Sequence, residues 1–266
     1  MFKNVQTKEI FLILCLGHLA ADFVLQSDAM VKHKKQGRAA AYAQHALIHY
    51  AAIFTVAAAA HPAWLARMRF HAIVAALTVA HLLLDFCKER LTAAGRIGDN
   101  ALGFLGDQAL HLATIGAAAF VFAGTRPGAA ADWMRAMEPH REKILAVLVV
   151  YCAVVFAGGY TIRYLTKPLT QHLQRLGDES NQSLRNAGMY IGWLERSLVL
   201  TAVLLRSPAT VGLVLAAKSI ARFPELGKSE RFAEYFLIGT LLSLLAAIFG
   251  GIILLQVLTG KINLGQ

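Results

Sequence analysis

The chain has 266 residues, of which 57% are hydrophobic and 16% charged, with a formal net charge of +10. A composition this apolar, at a mean hydropathy of +0.52, leaves too little polar sequence to clothe a soluble globule, so an integral membrane protein is expected. The excess positive charge does not point to nucleic acid, because the basic residues gather in short loops beside apolar stretches, as they do in inner-membrane proteins.

Apolar windows lie near residues 10–26, 42–60, 70–87, 102–123, 143–165, 188–206, 208–222 and 232–258. A helix needs about 20 residues to cross a hydrocarbon core of about 30 Å. The expected fold is therefore an all-α polytopic membrane protein: a four-helix transmembrane bundle over residues 1–123, then three or four further transmembrane or re-entrant helices. Between them, residues 124–187 are expected to hold an extramembrane loop, a fifth transmembrane helix and an amphipathic cytoplasmic loop, with the C-terminal helices in 188–266.

The first window resembles a signal sequence, with Lys3 and Lys8 ahead of it and small residues at Ala20 and Ala21. It also carries His18 and Asp22, which would spoil an apolar targeting core, so a permanent helix without cleavage is expected. The second window carries His45 and His49, the third His81 and Asp85, the fourth Asp107 and His111. Four-residue spacing puts both members of a pair on one helix face. Chance placement of 10 His and 7 Asp gives roughly one such pair, and the first 111 residues hold four.

The pairs also agree in depth. His18/Asp22 and His81/Asp85 come just before a loop, and His45/His49 and Asp107/His111 just after one. In an up-and-down bundle all eight side chains reach the same end. The apolar pattern does not require this, whereas a metal site does. Four pairs with three carboxylates can hold one ion, or two about 3.5–4 Å apart. Nitrogen and oxygen donors without thiolate favour zinc, manganese or iron. Interhelical hydrogen bonding or a proton path is the alternative use of buried His and Asp. His33, His61, His71, His140 and His172 fall in loops or at helix ends and are expected to be interfacial. Cys15, Cys87 and Cys152 stand alone, without paired spacing, as packing residues.

Beyond the fifth window, Leu165, Leu169, Leu173 and Leu176 recur at helical spacing with Lys167, Gln171, Gln174 and Arg175 between them, the pattern of a helix lying on the membrane. Gly188 and Gly192 form a GxxxG that suits close helix approach. Glu195 and Arg196 fall mid-helix, where unpaired charge is costly, so Lys218 and Arg222 are expected as ion-pair partners or, facing the metal site, as a clamp for an anionic group. The seventh window, at 15 residues, spans obliquely or re-enters. Fifteen Lys and Arg fall in odd-numbered loops against ten on the other side, which puts those loops, and the eight residues near them, in the cytoplasm.

No HExxH, GxSxG or GxGxxG occurs. The string Gly227, Lys228, Ser229 resembles a phosphate-loop tail, but Arg222 occupies the first glycine position and no strand precedes it.

The strings GHLAADFVLQSDAMVKHK, QHALIHY, HLLLDFCKERL and FLGDQALHL resemble the bacterial membrane family called domain of unknown function 3307, over roughly residues 10–122. The later strings IGWLER, AAKSIARF and EYFLIGTLLS are similar to the C-terminal part of longer members. The resemblance implies a multi-pass protein of the bacterial inner membrane and no assigned activity. HLLLD is also similar to a string of the membrane-bound metal-dependent hydrolases.

The expected function is a membrane-embedded metal-dependent hydrolase of an ester, phosphoester or amide at the cytoplasmic interface, acting on an anionic lipid or small molecule. Asp22, Asp85 and Asp107 would bridge ions or act as base, His18, His45, His49, His81 and His111 would be ligands, and Lys218 and Arg222 would steady the substrate. The alternatives are a cation or proton transporter or channel using the same cluster, and a metal-stabilised scaffold. Nothing in the sequence fixes the oligomeric state.

Overall fold

The computed structural model describes residues 7–123, 140–175, 187–227 and 230–260, which are helical apart from short connections. Residues 124–139 and 176–186, Lys3, Lys228 and Lys261 lie outside the described residues. Among the described residues, five helices are long and apolar enough to cross a membrane: Ala39–Ala60, Met68–Ala93, Ala101–Ala123, Arg141–Gln171 and Glu230–Thr259. A sixth candidate is the bent pair Thr7–Leu25 and Asp28–Lys35, whose two parts meet at 93°.

The chain divides into two compact units, Met1–Cys152 and Ala153–Gln266. In the first, α1 (Thr7–Ala20), α3 (Ala39–Ala60), α4 (Met68–Ala93) and α5 (Ala101–Ala123) contact one another in turn and close a ring. The helix α6 (His140–Tyr151) leans on α1, and the short α2 (Asp28–Lys35) lies against α3 and α4. Ile10, Ile13, Ile53, Val74 and Ile115 fill the interior. Gly17 lets α1 and α3 approach closely, since a Cβ there would sit 2.6 Å from Ile53 Cγ1 and 2.9 Å from its Cα.

The apolar surface points outward. Only 28–33% of the apolar windows in α3, α4 and α5 is buried. Leu47, Val79, Leu83, Leu102, Leu110 and Val121 are exposed. An apolar exterior around buried His and Asp inverts the soluble pattern and suits lipid.

The first helix is not α throughout. After Ala20 the chain makes a π-helical turn over Ala21–Leu25, and Ser27 then caps α2 by accepting from the Met30 N–H at 3.3 Å. Asp22 sits in the π turn.

In the second unit, α10 (Glu230–Thr259) packs on α7 (Gly158–Arg175), α8 (Ala187–Leu204) and α9 (Pro208–Leu226). A second π turn, Cys152–Ala157, precedes α7. The amphipathic stretch with Leu165 and Leu169 continues the helix of the fifth window rather than forming a separate one, while the side chains of Leu173 and Leu176 lie outside the described residues. Neither α8 nor α9 joins the five: Glu195 and Arg196 interrupt the apolar sequence of α8, and that of α9 includes Lys218, Arg222 and Glu225. The seventh window is one unbroken helix, with no re-entrant turn.

Candidate metal centre

The ring of α1, α3, α4 and α5 brings all eight pairwise-spaced residues together. His18, His45, His49, His81, Asp85, Asp107 and His111 are buried, and Asp22 is nearly so. Each comes from the helix portion next to the 26–38 or 94–100 connection, so the depth agreement in the sequence becomes convergence in space.

Asp22 is a hub. Its Oδ1 lies 2.8 Å from His49 Nε2, 3.3 Å from His45 Nε2 and 3.5 Å from His81 Nε2, and its Oδ2 lies 3.7 Å from His18 Nδ1. Asp85 is the second hub: Oδ2 faces His45 Nε2 at 3.4 Å and His81 Nε2 at 3.7 Å, and Oδ1 faces His111 Nε2 at 3.4 Å. Asp107 Oδ1 lies 3.4 Å from the same nitrogen of His111. Between the hubs, His45 Nε2 and His81 Nε2 are 3.0 Å apart, as are His81 Nδ1 and His111 Nδ1.

These separations fit a coordination shell. Two donors each about 2.1 Å from one ion stand about 3.0–3.4 Å apart at the angles of octahedral or tetrahedral sites. Three groups can each hold an ion: His18, Asp22, His49 and His81; His45, His81 and Asp85; and Asp85, Asp107 and His111. The first and third share no residue, and His45 lies between Asp22 of the first and Asp85 of the third.

The polar accounting leaves gaps that a cation would fill. Among the described residues, His18 Nε2 and Thr78 Oγ1 are buried without a hydrogen-bond partner, and His111 Nε2 faces two carboxylate oxygens at 3.4 Å without a well-aligned hydrogen bond to either. All three side chains line a small cavity on the inner side of the cluster, together with His49, His81 and Thr114, with room for about one water-sized centre (≈ 10 Å³).

Two lysines that in sequence stand only among the loop charges belong to this site. Lys34, buried on α2, donates from Nζ to Asp85 Oδ2. Lys88 donates to Asp107 Oδ2 at 2.8 Å, where Gln108 Nε2 also donates at 3.1 Å. Gln26, just after the π turn, places its Nε2 3.3 Å from His45 Nδ1. No pairwise spacing marks these residues. Only the fold of α2 back over α3 and α4 brings Lys34 in.

His61 and His71 take other roles. His61 Nε2 lies 2.7 Å from Glu9 Oε1, to which Arg141 also donates at 3.3 Å. His71 donates to the Leu65 carbonyl at 2.8 Å and accepts from Tyr50 at 2.5 Å. Both sit at the ends of α3 and α4 away from the cluster.

In the second unit Lys218 donates to Glu195 Oε2 at 2.5 Å, the ion pair anticipated from the sequence, while Arg222 is half-buried one turn further along α9. Arg196 is buried and donates from Nε and Nη2 to the Val155 carbonyl in the π turn, at 3.1 and 2.7 Å. The glycines of α8 do not serve close helix approach as GxxxG suggested. A Cβ at Gly188 would meet nothing within 4 Å, and one at Gly192 would meet the Arg196 guanidinium of the same helix at 3.1 Å.

Fold and site together define a helical protein with membrane-compatible spans and a buried His/Asp cluster able to hold a metal ion. Residues 10–135, which include α1 to α5 almost entirely and all eight residues of the cluster, match the family described as protein of unknown function (DUF3307), the family resembled in sequence. No curated protein and no solved structure matches the chain significantly.

Proposed function

We propose that the chain is a multi-pass protein of the bacterial plasma membrane whose N-terminal four-helix bundle holds one or two divalent ions and hydrolyses an ester-type bond at the cytoplasmic interface. The observation that carries this reading is the convergence of eight His and Asp side chains from four helices at separations of 2.8–3.7 Å. A bound divalent ion would lower the pKa of a water toward about 7. In the paired arrangement His18, Asp22, His49 and His81 form one ligand group and Asp85, Asp107 and His111 the other. His45, between Asp22 and Asp85, is then placed to hold or pass a proton. The apolar exterior of α3 to α5 supports access for a lipid or other amphiphile from the membrane side.

Elemental analysis of detergent-purified protein tests the site. One or two zinc, manganese or iron ions per chain are expected. Asp107→Ala should lose one ion and His81→Ala the other, while thermal unfolding shows that both variants remain folded. A metal-free native chain, even after reconstitution with all three metals, would sink the reading. It would favour instead a proton relay along His45, His81 and His111, whose ring nitrogens already meet at 3.0 Å.

A further inference from the structure

Lysine is not a metal ligand in its charged form, yet two of the three carboxylates in the cluster each hold one. Asp107 divides its oxygens cleanly, Oδ1 toward His111 and Oδ2 toward Lys88. Asp85 turns Oδ1 toward His111 and gives Oδ2 to Lys34 as well as to His45. Asp22, deeper among the histidines, has no lysine among the described residues. Both ammonium groups therefore sit on the Asp85/Asp107 side. They are held there by elements of different origin, Lys34 by the folded-back α2 and Lys88 by α4, one turn beyond Asp85. Lys34 is only 6% exposed, a costly position for a flexible cation that merely balances charge.

Charge counting shows what such a site lacks. With neutral histidines, three carboxylates and two ammonium groups leave a net charge of −1. One divalent ion brings the cluster to +1 and two bring it to +3. A buried site with a surplus of positive charge calls for anions. A phosphate monoester carries about −1.5 to −2 at neutral pH and offers several strong acceptor oxygens. Together with one hydroxide it offsets the +3 of the two-ion site. A neutral ester or amide with the same hydroxide would leave a surplus of +2.

Resting on the metal-site reading above, we infer that the substrate class is a phosphate monoester, held by Lys34 and Lys88 from their places beside Asp85 and Asp107. Oδ1 of each carboxylate faces His111 and Oδ2 faces the lysine, so an ion held on the His111 side leaves both ammonium groups in place; an ammonium carries three N–H donors, and charge-assisted hydrogen bonds to phosphate add to those to Asp. In the reaction a water oxygen bonds to phosphorus and the bond from phosphorus to the alkyl oxygen breaks. One water proton goes to the departing alkoxide and the other stays on the released phosphate.

The test is calorimetric titration of inorganic phosphate into detergent-solubilised protein loaded with zinc or manganese, with metal content measured on the same samples. The loaded native chain should bind phosphate, and the metal-free chain at least tenfold more weakly. Lys34→Gln and Lys88→Gln should each lose at least tenfold in affinity at unchanged metal content, while Lys35→Gln, an exposed neighbour, should lose none. Displacement of phosphate by phosphatidic acid in mixed micelles assigns the phosphate to a lipid headgroup, and displacement by glycerol 3-phosphate alone assigns it to a soluble monoester. Displacement by neither overturns the inference. So does equal phosphate affinity in native and lysine variants, or loss of metal from those variants, while the metal-site reading stands. A native chain that takes up no metal ends both.

Discussion

His81 presents both ring nitrogens to other histidines, and Asp22 gathers three histidine nitrogens on one oxygen, so the centre is built from donors that leave little slack for neighbours to move. Gly17, which precedes His18, is where that tightness can be tested away from the donors themselves. Its missing side chain lets α1 and α3 approach until the glycine backbone lies against Ile53, and His18 and His49 ride on those same helices. Gly17→Ala forces backbone apart, not a flexible side-chain tip, and overpacking of this kind costs about 1–3 kcal/mol. Thermal unfolding in detergent should show that loss together with lower metal occupancy. Gly116→Ala, where a Cβ meets nothing within 4 Å, should leave both unchanged. Equal behaviour of the two variants would mean that α1 and α3 are not held at this distance. At this scale the sequence was most informative about the eight donors, because i,i+4 spacing survives any detail of packing. Lys34 and Lys88 were illegible, because a lysine beside a loop looks the same whether it faces lipid headgroups or a buried carboxylate.

The helices themselves were visible as apolar windows, yet their irregularities were not. Nothing in ADFVL or CAVVFA announces a π turn. Each has a clear consequence in space: one carries Asp22 into the cluster, and the other turns the Val155 carbonyl toward Arg196. The buried guanidinium is accommodated by two glycines, since a Cβ at Gly159 would fall 2.6 Å from Nη2 and one at Gly192 3.1 Å from Nη1. GxxxG looked like a helix-pairing motif because the sequence does not say whether a glycine clears room for a neighbouring backbone or for an arginine on its own helix. Gly159→Ala should displace the guanidinium from the carbonyl and cost about 1.5–3 kcal/mol, the scale of a hydrogen bond to a charged group. The Arg196→Lys variant, which keeps the charge but cannot give two N–H groups to one carbonyl, should fall by a similar amount. An unchanged unfolding midpoint in both would show that this contact contributes nothing to stability.

For the molecule as a whole, the buried centre lies at the end of the first unit where Lys32, Lys35 and Arg38 flank the connection before α3 and Arg90 and Arg96 the one after α4, while Lys8, Arg67, Arg69 and Arg141 lie at the other end. If the protein sits in the bilayer with these loops in the cytoplasm, the centre faces metabolites and the inner leaflet; in the reverse orientation it would face the outside. Ala94→Cys, placed in the connection between α4 and α5 in a chain whose three native cysteines are replaced by alanine, reports which arrangement holds. A membrane-impermeant maleimide added to intact bacterial cells should leave that thiol essentially unlabelled, and permeabilised cells should label it fully. Full labelling of intact cells would reverse the orientation and place the His/Asp cluster at the outer face. It would also exclude cytoplasmic phosphate esters as substrates, because their charge keeps them from crossing the bilayer.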